Sequence, residues 1–189
     1  GRDHSGPHGD PVGRALTAVN AFSLCKEVLT GYDIAIAQAT PSVKEKTTTL
    51  SGINIRLLPR LEYKEVLQVV ERSRVFVALT INDGLPSALV EAMAMGAFPI
   101  HSDIESVREW ITHGVNGLLV PPEDPYAVAE ALHRALTDDH LVNNAAEINA
   151  RLIQDKLSDA VIRPRVIEMY QHVLQNISTA NPEPISQRS

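Results

Sequence analysis

Cysteine is nearly absent from this chain: Cys25 is the only one in 189 residues. No internal disulfide can form, and such usage fits a reducing compartment. In that compartment the sequon Asn176-Ile177-Ser178 carries no glycan. An excess of positive charge is missing too. Seventeen Lys and Arg stand against 23 Asp and Glu, a formal charge of −6, which argues against a general nucleic-acid or anionic-membrane binder. No apolar run approaches the roughly 20 residues that span a bilayer, and no signal peptide is visible. The predicted location is therefore cytoplasmic, at most peripheral at the inner membrane. There is no internal repeat, no G-x-G-x-x-G or Walker A loop, no G-x-S-x-G elbow and no H-E-x-x-H pair. His101, His113 and His133 stand apart and form no metal-ligand spacing. His4 and His8 lie in a Gly-rich loop and read as idle.

What remains is ordinary for a soluble domain: 44% hydrophobic and 21% charged residues, in a chain long enough for a proper core. Strand and helix signals alternate along it. Asp10-Pro11 is a helix start, and the apolar positions from Leu16 to Leu29 carry that helix to just before Gly31. Cys25 lies on its apolar face. Strands are predicted at 32–38, 53–58, 75–79, 97–100 and 117–120. Between them fall helices over 41–51, opened by Thr40-Pro41, from Tyr63 past Val70, after Pro86, and over 105–113. Tyr63, Val66, Leu67 and Val70 mark one face of their helix at 3, 4 and 7 spacing. Val75–Leu79 is nearly all apolar, as a buried parallel strand should be. Trp110 reads as packing. Asp124-Pro125 caps a further helix, and helical stretches over about 139–157 and 158–177 follow. Such alternation implies right-handed βαβ units, hence a Rossmann-like parallel sheet with helices on both faces and extra C-terminal helices. One domain is expected over 1–178, with a mobile tail at 179–189.

The densest signal runs from Asp83 through Gly96. It reads as a loop opening a helix whose only charged residue is Glu91. Leu89 and Met93 share one face of that helix, Ser87 and Glu91 another. A carboxylate on so apolar a helix is costly to bury unless something polar meets it. In an open α/β sheet, ligands bind beyond the C-terminal strand ends, and 80–86 is one of the loops there. The free amides and positive dipole end of a helix starting there suit a phosphate. Asp83 before the helix and Glu91 one turn in would thus fit a sugar–diphosphate–ribose ligand. Each has an alternative: Asp83 as an N-cap, Glu91 as a carboxylate bound to a nearby Arg or to backbone.

Gly84, Leu85, Pro86, Glu91, Ala92, Met93, Ala94 and Gly96 match the acid-x7-acid signature of the family-four retaining glycosyltransferases, which have the two-domain GT-B fold. The resemblance continues through Glu109-Trp110-Ile111 and from Gly114-Val115-Asn116-Gly117 to Asp124-Pro125. It covers roughly residues 50–138. One position departs: the first acid is Asp83, a methylene shorter than the family's Glu.

The resemblance implies the donor-binding half of a transferase that moves a sugar from a nucleotide diphosphate, UDP or GDP, to an unknown acceptor in polysaccharide or glycoconjugate synthesis. Asp83 would be catalytic. Gly84, Leu85, Ser87, Ala88 and Glu91 would bind the donor, with Glu91 on the ribose. Arg2 and Arg14 would take the diphosphate, and Arg60 and Leu61 lie where the family's nucleobase meets backbone. Such enzymes need no cofactor and hold the diphosphate on Arg, Lys and helix amides rather than on a metal. They also place an acceptor-binding N-terminal domain before this half, and a central strand before its first helix. Neither is legible here. The chain begins at Gly1 without Met, as expected of a piece of a longer protein that alone transfers no sugar. Two other readings stand beside this one: half of a sugar-nucleotide epimerase, or a non-catalytic nucleotide-binding α/β module. A receiver-type domain is disfavoured, since Thr80 rather than Asp follows the 75–79 strand.

Overall fold

The computed structural model describes residues 14–82, 84, 86–158, 160–164 and 167–171. Helices and parallel strands alternate as α1 (Ala15–Leu24), α2 (Lys26–Leu29), β1 (Asp33–Ala37), α3 (Pro41–Thr48), β2 (Asn54–Leu58) and α4 (Tyr63–Glu71), then β3 (Val75–Ala78), α5 (Ser87–Ala94), β4 (Phe98–Ser102), α6 (Glu105–Arg108), β5 (Leu118–Val120), α7 (Pro125–Thr137) and α8 (Asp139–Leu157). The chain divides by packing into two units, residues 1–150 and 151–189. In the second unit the described residues beyond α8 are mostly helical.

Within the first unit every strand pairing among the described residues is parallel. β1 pairs with β2, Asp33 opposite Asn54, and β4 lies between β3 and β5, with Val75 opposite Phe98 and Ile100 opposite Leu118. β4 is buried at all five positions. Its alternate residues part to the two faces. Phe98 and Ile100 join a core with Val19, Phe22, Val128 and Leu132 from α1 and α7, while Pro99 lies against Gly117. α5 packs on β3 and β4 and buries Leu89, Ala92 and Met93. This is the expected α/β architecture.

One expectation is corrected. β3 is half-exposed along its whole length rather than buried, and Ala35 and Ala37 of β1 are exposed. The strands form two sheets, β1–β2 and β3–β4–β5. The outer edges of β1 and β3 have no strand partner among the described residues. The central strand expected ahead of α1 falls outside those residues.

Local chemistry explains where the helices stop. The first helix breaks at Cys25, where the Ser23 hydroxyl and the Cys25 thiol donate to the carbonyls of Asn20 and Ala21; such back-bonding bends helices. Thr40 and Pro41 open α3 as predicted. It ends at Thr48 because three successive threonine hydroxyls take the carbonyls of Lys44, Glu45 and Lys46. α6 spans four residues, not the predicted nine positions to His113. Asn116 accounts for that: its amide donates to Trp110 O at 2.9 Å and its Oδ1 accepts from Thr112 N at 2.7 Å. The same side chain bonds Asn149, which returns a bond to Asn116 O. Trp110 and Ile111 are buried, so Trp110 is packing as read.

Candidate functional site

The C-terminal ends of β1 to β5 lead into loops 38–40, 59–62, 79–86, 103–104 and 121–124. The motif loop follows β3 and delivers α5. Pro86 is the N-cap of α5, buried and without a side-chain cap bond, so the helix begins at Ser87, directly after Pro86. The first intrahelical donor is Val90 N, bonding Pro86 O at 3.0 Å; the amides of Ser87, Ala88 and Leu89 precede it and have no helical acceptor. Ser87, Ala88 and Gly84 are exposed. Gly96 ends the helix with φ +83°, and Ala97 N and Gly96 N bond Ala92 O and Met93 O, a Schellman closure. Asp83 and Leu85 lie outside the described residues, as does Arg2.

Glu91 sits one turn into α5, half-buried, on the face away from Leu89 and Met93. It meets neither of the partners the sequence suggested, an Arg or backbone, but a phenol. The Tyr63 phenol, at the first position of α4, donates to Glu91 Oε1 at 3.0 Å. That bond to the carboxylate pushes the Tyr63 pKa above its ordinary value. Tyr63 was missed by sequence reading, which placed it on the apolar stripe with Val66, Leu67 and Val70. Its side chain is instead 62% exposed. The available signal was its position, first in a helix directly after a loop at strand C-termini.

Arg60 is exposed and Leu61 half-buried in the loop before α4. Glu62 and Glu65 close a capping box there, which locks the start of α4. Arg14 stands at the N-cap of α1 with φ 48°. Its guanidinium meets Glu123 Oε1, in the loop after β5, at 3.3 Å. The structure thus brings Arg14 to the strand-end side, but with a carboxylate beside it. Arg108, which sequence reading did not single out, holds both oxygens of Asp103 at 2.6 and 2.9 Å and draws the Asp103 carboxyl below its usual range.

Between the loops after β3 and β4 lies an open depression of about 360 Å³, lined by Ile81, Asn82, Ile104, Glu105, Ser106 and Glu109. Its carboxylates suit hydroxyls as partners and repel phosphate. A second depression, of about 470 Å³, sits at the opposite ends of β1 and β2, around Gly31, Asp33 and Asn54; that end of a parallel sheet does not receive ligands. Among the described residues, no three His, Cys, Asp or Glu side chains gather where they could hold a metal, and no helix is long and apolar enough to cross a membrane. Cys25 is buried, and burial together with Glu27 pushes its thiol up to about 11. His113 Nδ1 accepts from Leu119 N at 3.1 Å.

Known proteins resemble this chain in sequence and in fold. An N,N'-diacetylbacillosaminyl-diphospho-undecaprenol alpha-1,3-N-acetylgalactosaminyltransferase of Campylobacter jejuni is 25% identical over 113 residues, 60% of this chain and 30% of that protein. A sucrose synthase of Melioribacter roseus is 30% identical over 61% of this chain and 14% of its own length. The chain therefore spans about a third or less of these curated relatives. Among solved structures, a glycosyltransferase from Rickettsia africae superposes with TM-score 0.74 at 18% identity, covering 86% of this chain and 45% of that one. Anabaena HepE, solved in complex with UDP and glucose, gives 0.70 at 15%, covering 88% and 46%. These likenesses establish one half of a GT-B fold. The family model described as glycosyl transferases group 1 matches residues 35–152, most of the described chain and all of α5, and by that match this chain belongs to the group 1 glycosyltransferases.

Proposed function

We propose that this chain is the donor-binding half of a retaining glycosyltransferase, and that it holds the nucleoside diphosphate of a nucleotide sugar across the start of α5. The observation that carries this reading is Glu91. It is the only charge on α5, it lies one turn past uncapped amides at a strand's C-terminal end, and its partner is a neutral phenol. A carboxylate so placed has lone pairs open to the two hydroxyls of a ribose. The diphosphate then falls on the amides of Ser87, Ala88 and Leu89, with Arg2 and Arg14 as further donors once Arg14 exchanges Glu123 for phosphate. Asp83 meets the sugar, and the backbone at Arg60 and Leu61 meets the base.

Catalysis in this design is electrostatic. As the anomeric carbon–oxygen bond breaks, negative charge grows on the leaving diphosphate, and fixed donors aimed at it lower the barrier. The acceptor is a separate molecule, which a second, acceptor-binding domain would present to the donor. We assign the work to the cytoplasm, at most at the face of the inner membrane, and expect no metal. UDP is the first donor nucleotide to test, since HepE was solved with UDP, and GDP the second. The shorter acid at Asp83 favours one other reading, a nucleotide-binding module without transferase chemistry.

Thermal unfolding of the chain with UDP, GDP, ADP and their sugars separates these. One nucleotide series should raise the melting temperature with or without EDTA; a ligand at 100 times its Kd adds about 2.7 kcal/mol. No shift with any nucleotide would refute donor binding, and a shift abolished by EDTA would refute the metal-free site. A shift with bare nucleotides that their sugars never exceed would favour the non-catalytic module.

A further inference from the structure

We propose that Tyr63 is the positioning residue of the nucleotide site: its phenol holds Glu91 in the orientation that meets a ribose diol, and the chain's preference for ribose over dideoxyribose nucleotides depends on it. The inference rests on the Glu91 reading above and adds a residue that neither the motif nor the family match assigns. Three observations carry it. The phenol donates to Glu91 Oε1 at 3.0 Å. The ring is 62% exposed at the strand-end side, so apolar burial does not explain its place. Finally, its backbone origin is fixed, because Glu62 and Glu65 close the capping box around the first turn of α4, Glu62 N bonding Glu65 Oε2 at 2.9 Å.

The chemistry of the pair matters as much as its geometry. An ionised carboxylate only accepts hydrogen bonds and has about four lone-pair sites. Tyr63 occupies one, on Oε1, and leaves Oε2 and a second site on Oε1 for two hydroxyls. An Arg in the same place would neutralise the charge and compete for both oxygens. The phenol does neither. Its ionisation is pushed to higher pH by Glu91 itself, so it remains a donor across the neutral range. Holding the carboxylate before the ligand arrives removes part of the ordering cost of binding. A mere strap between α4 and α5 would act on every ligand alike, which separates it from positioning.

The test is calorimetric titration of the full chain with UDP, GDP and ADP, each beside its 2′,3′-dideoxy counterpart, for the wild type, Tyr63→Phe and Glu91→Gln. Tyr63→Phe keeps the ring and removes one exposed oxygen, and a melting curve verifies its fold. The wild type should prefer the ribose form of the nucleotide it binds. Tyr63→Phe should cut that preference by about threefold or more, with affinity for the dideoxy form unchanged. Glu91→Gln should reduce it at least as far. A preference intact in Tyr63→Phe but lost in Glu91→Gln overturns the role of Tyr63 and leaves Glu91 standing. Equal losses for both sugar forms in Tyr63→Phe also overturn it, in favour of the strap. A wild type that binds neither form, or both alike, overturns the Glu91 reading and this inference with it.

Discussion

Asp83 and Glu91 bracket the start of α5, and they invite opposite experiments. Glu91 is placed by the structure and Asp83 lies outside the described residues, so Asp83 must be tested by its ligands. Pro86, not Asp83, is the N-cap. The capping loss of about 1 kcal/mol that an N-cap Asp→Ala change brings is therefore not expected. Instead Asp83→Ala should weaken binding of the nucleotide sugar more than of the bare nucleoside diphosphate, measured by competition. Equal loss for both would remove Asp83 from the sugar. At this scale sequence reading found Glu91 because a lone charge on an apolar helix is anomalous. It did not find Tyr63, whose ring satisfies a 3-4-7 apolar spacing and hides a polar tip. Nor could it pair Arg14 with Glu123, 109 positions away, since no local pattern encodes so distant a partner.

Among the elements, the segment between α6 and β5 shows how one side chain ends a helix. Asn116 captures the groups that α6 would have used, and Gly117 then passes against the sheet. A Cβ on Gly117 would stand 2.8 Å from Pro99 Cγ, 3.0 Å from Pro99 O and 3.1 Å from Ile111 Cγ2. Gly96 differs: a Cβ there meets nothing within 4 Å, and its φ of +83° is the sole obstacle. Gly96→Ala should cost about 1 kcal/mol from backbone strain. Gly117→Ala adds overpacking against backbone and should cost about 1–3 kcal/mol, a larger fall in the urea midpoint. An equal or smaller fall for Gly117→Ala would contradict the packing described here. Helix starts at Thr40-Pro41 and Asp124-Pro125 were readable because caps are local. Helix ends at Thr48 and Arg108 were not, since they depend on which side chain reaches the carbonyls first.

Over the whole molecule, alternation of apolar strands and helices carries the α/β class and the parallel pairing, and the family match over 35–152 agrees with where that alternation is clearest. Burial of β3 was misjudged for a physical reason. A fully apolar strand signals an interior position, and β3 is half-exposed because the edge facing away from β4 has no strand among the described residues. The proposed donor site does not depend on that edge alone, since Glu91, Tyr63 and the α5 amides hang on β3, β4 and α4. The central claim is that this half binds a nucleoside diphosphate through Glu91. Calorimetric affinity of the wild type and of Glu91→Gln for the best of UDP, GDP and ADP tests it most directly. Glu91→Gln should fold normally and bind about 1.5–3 kcal/mol more weakly, the range for a hydrogen bond to a charged group. An unchanged affinity in the folded Glu91→Gln chain would contradict the account.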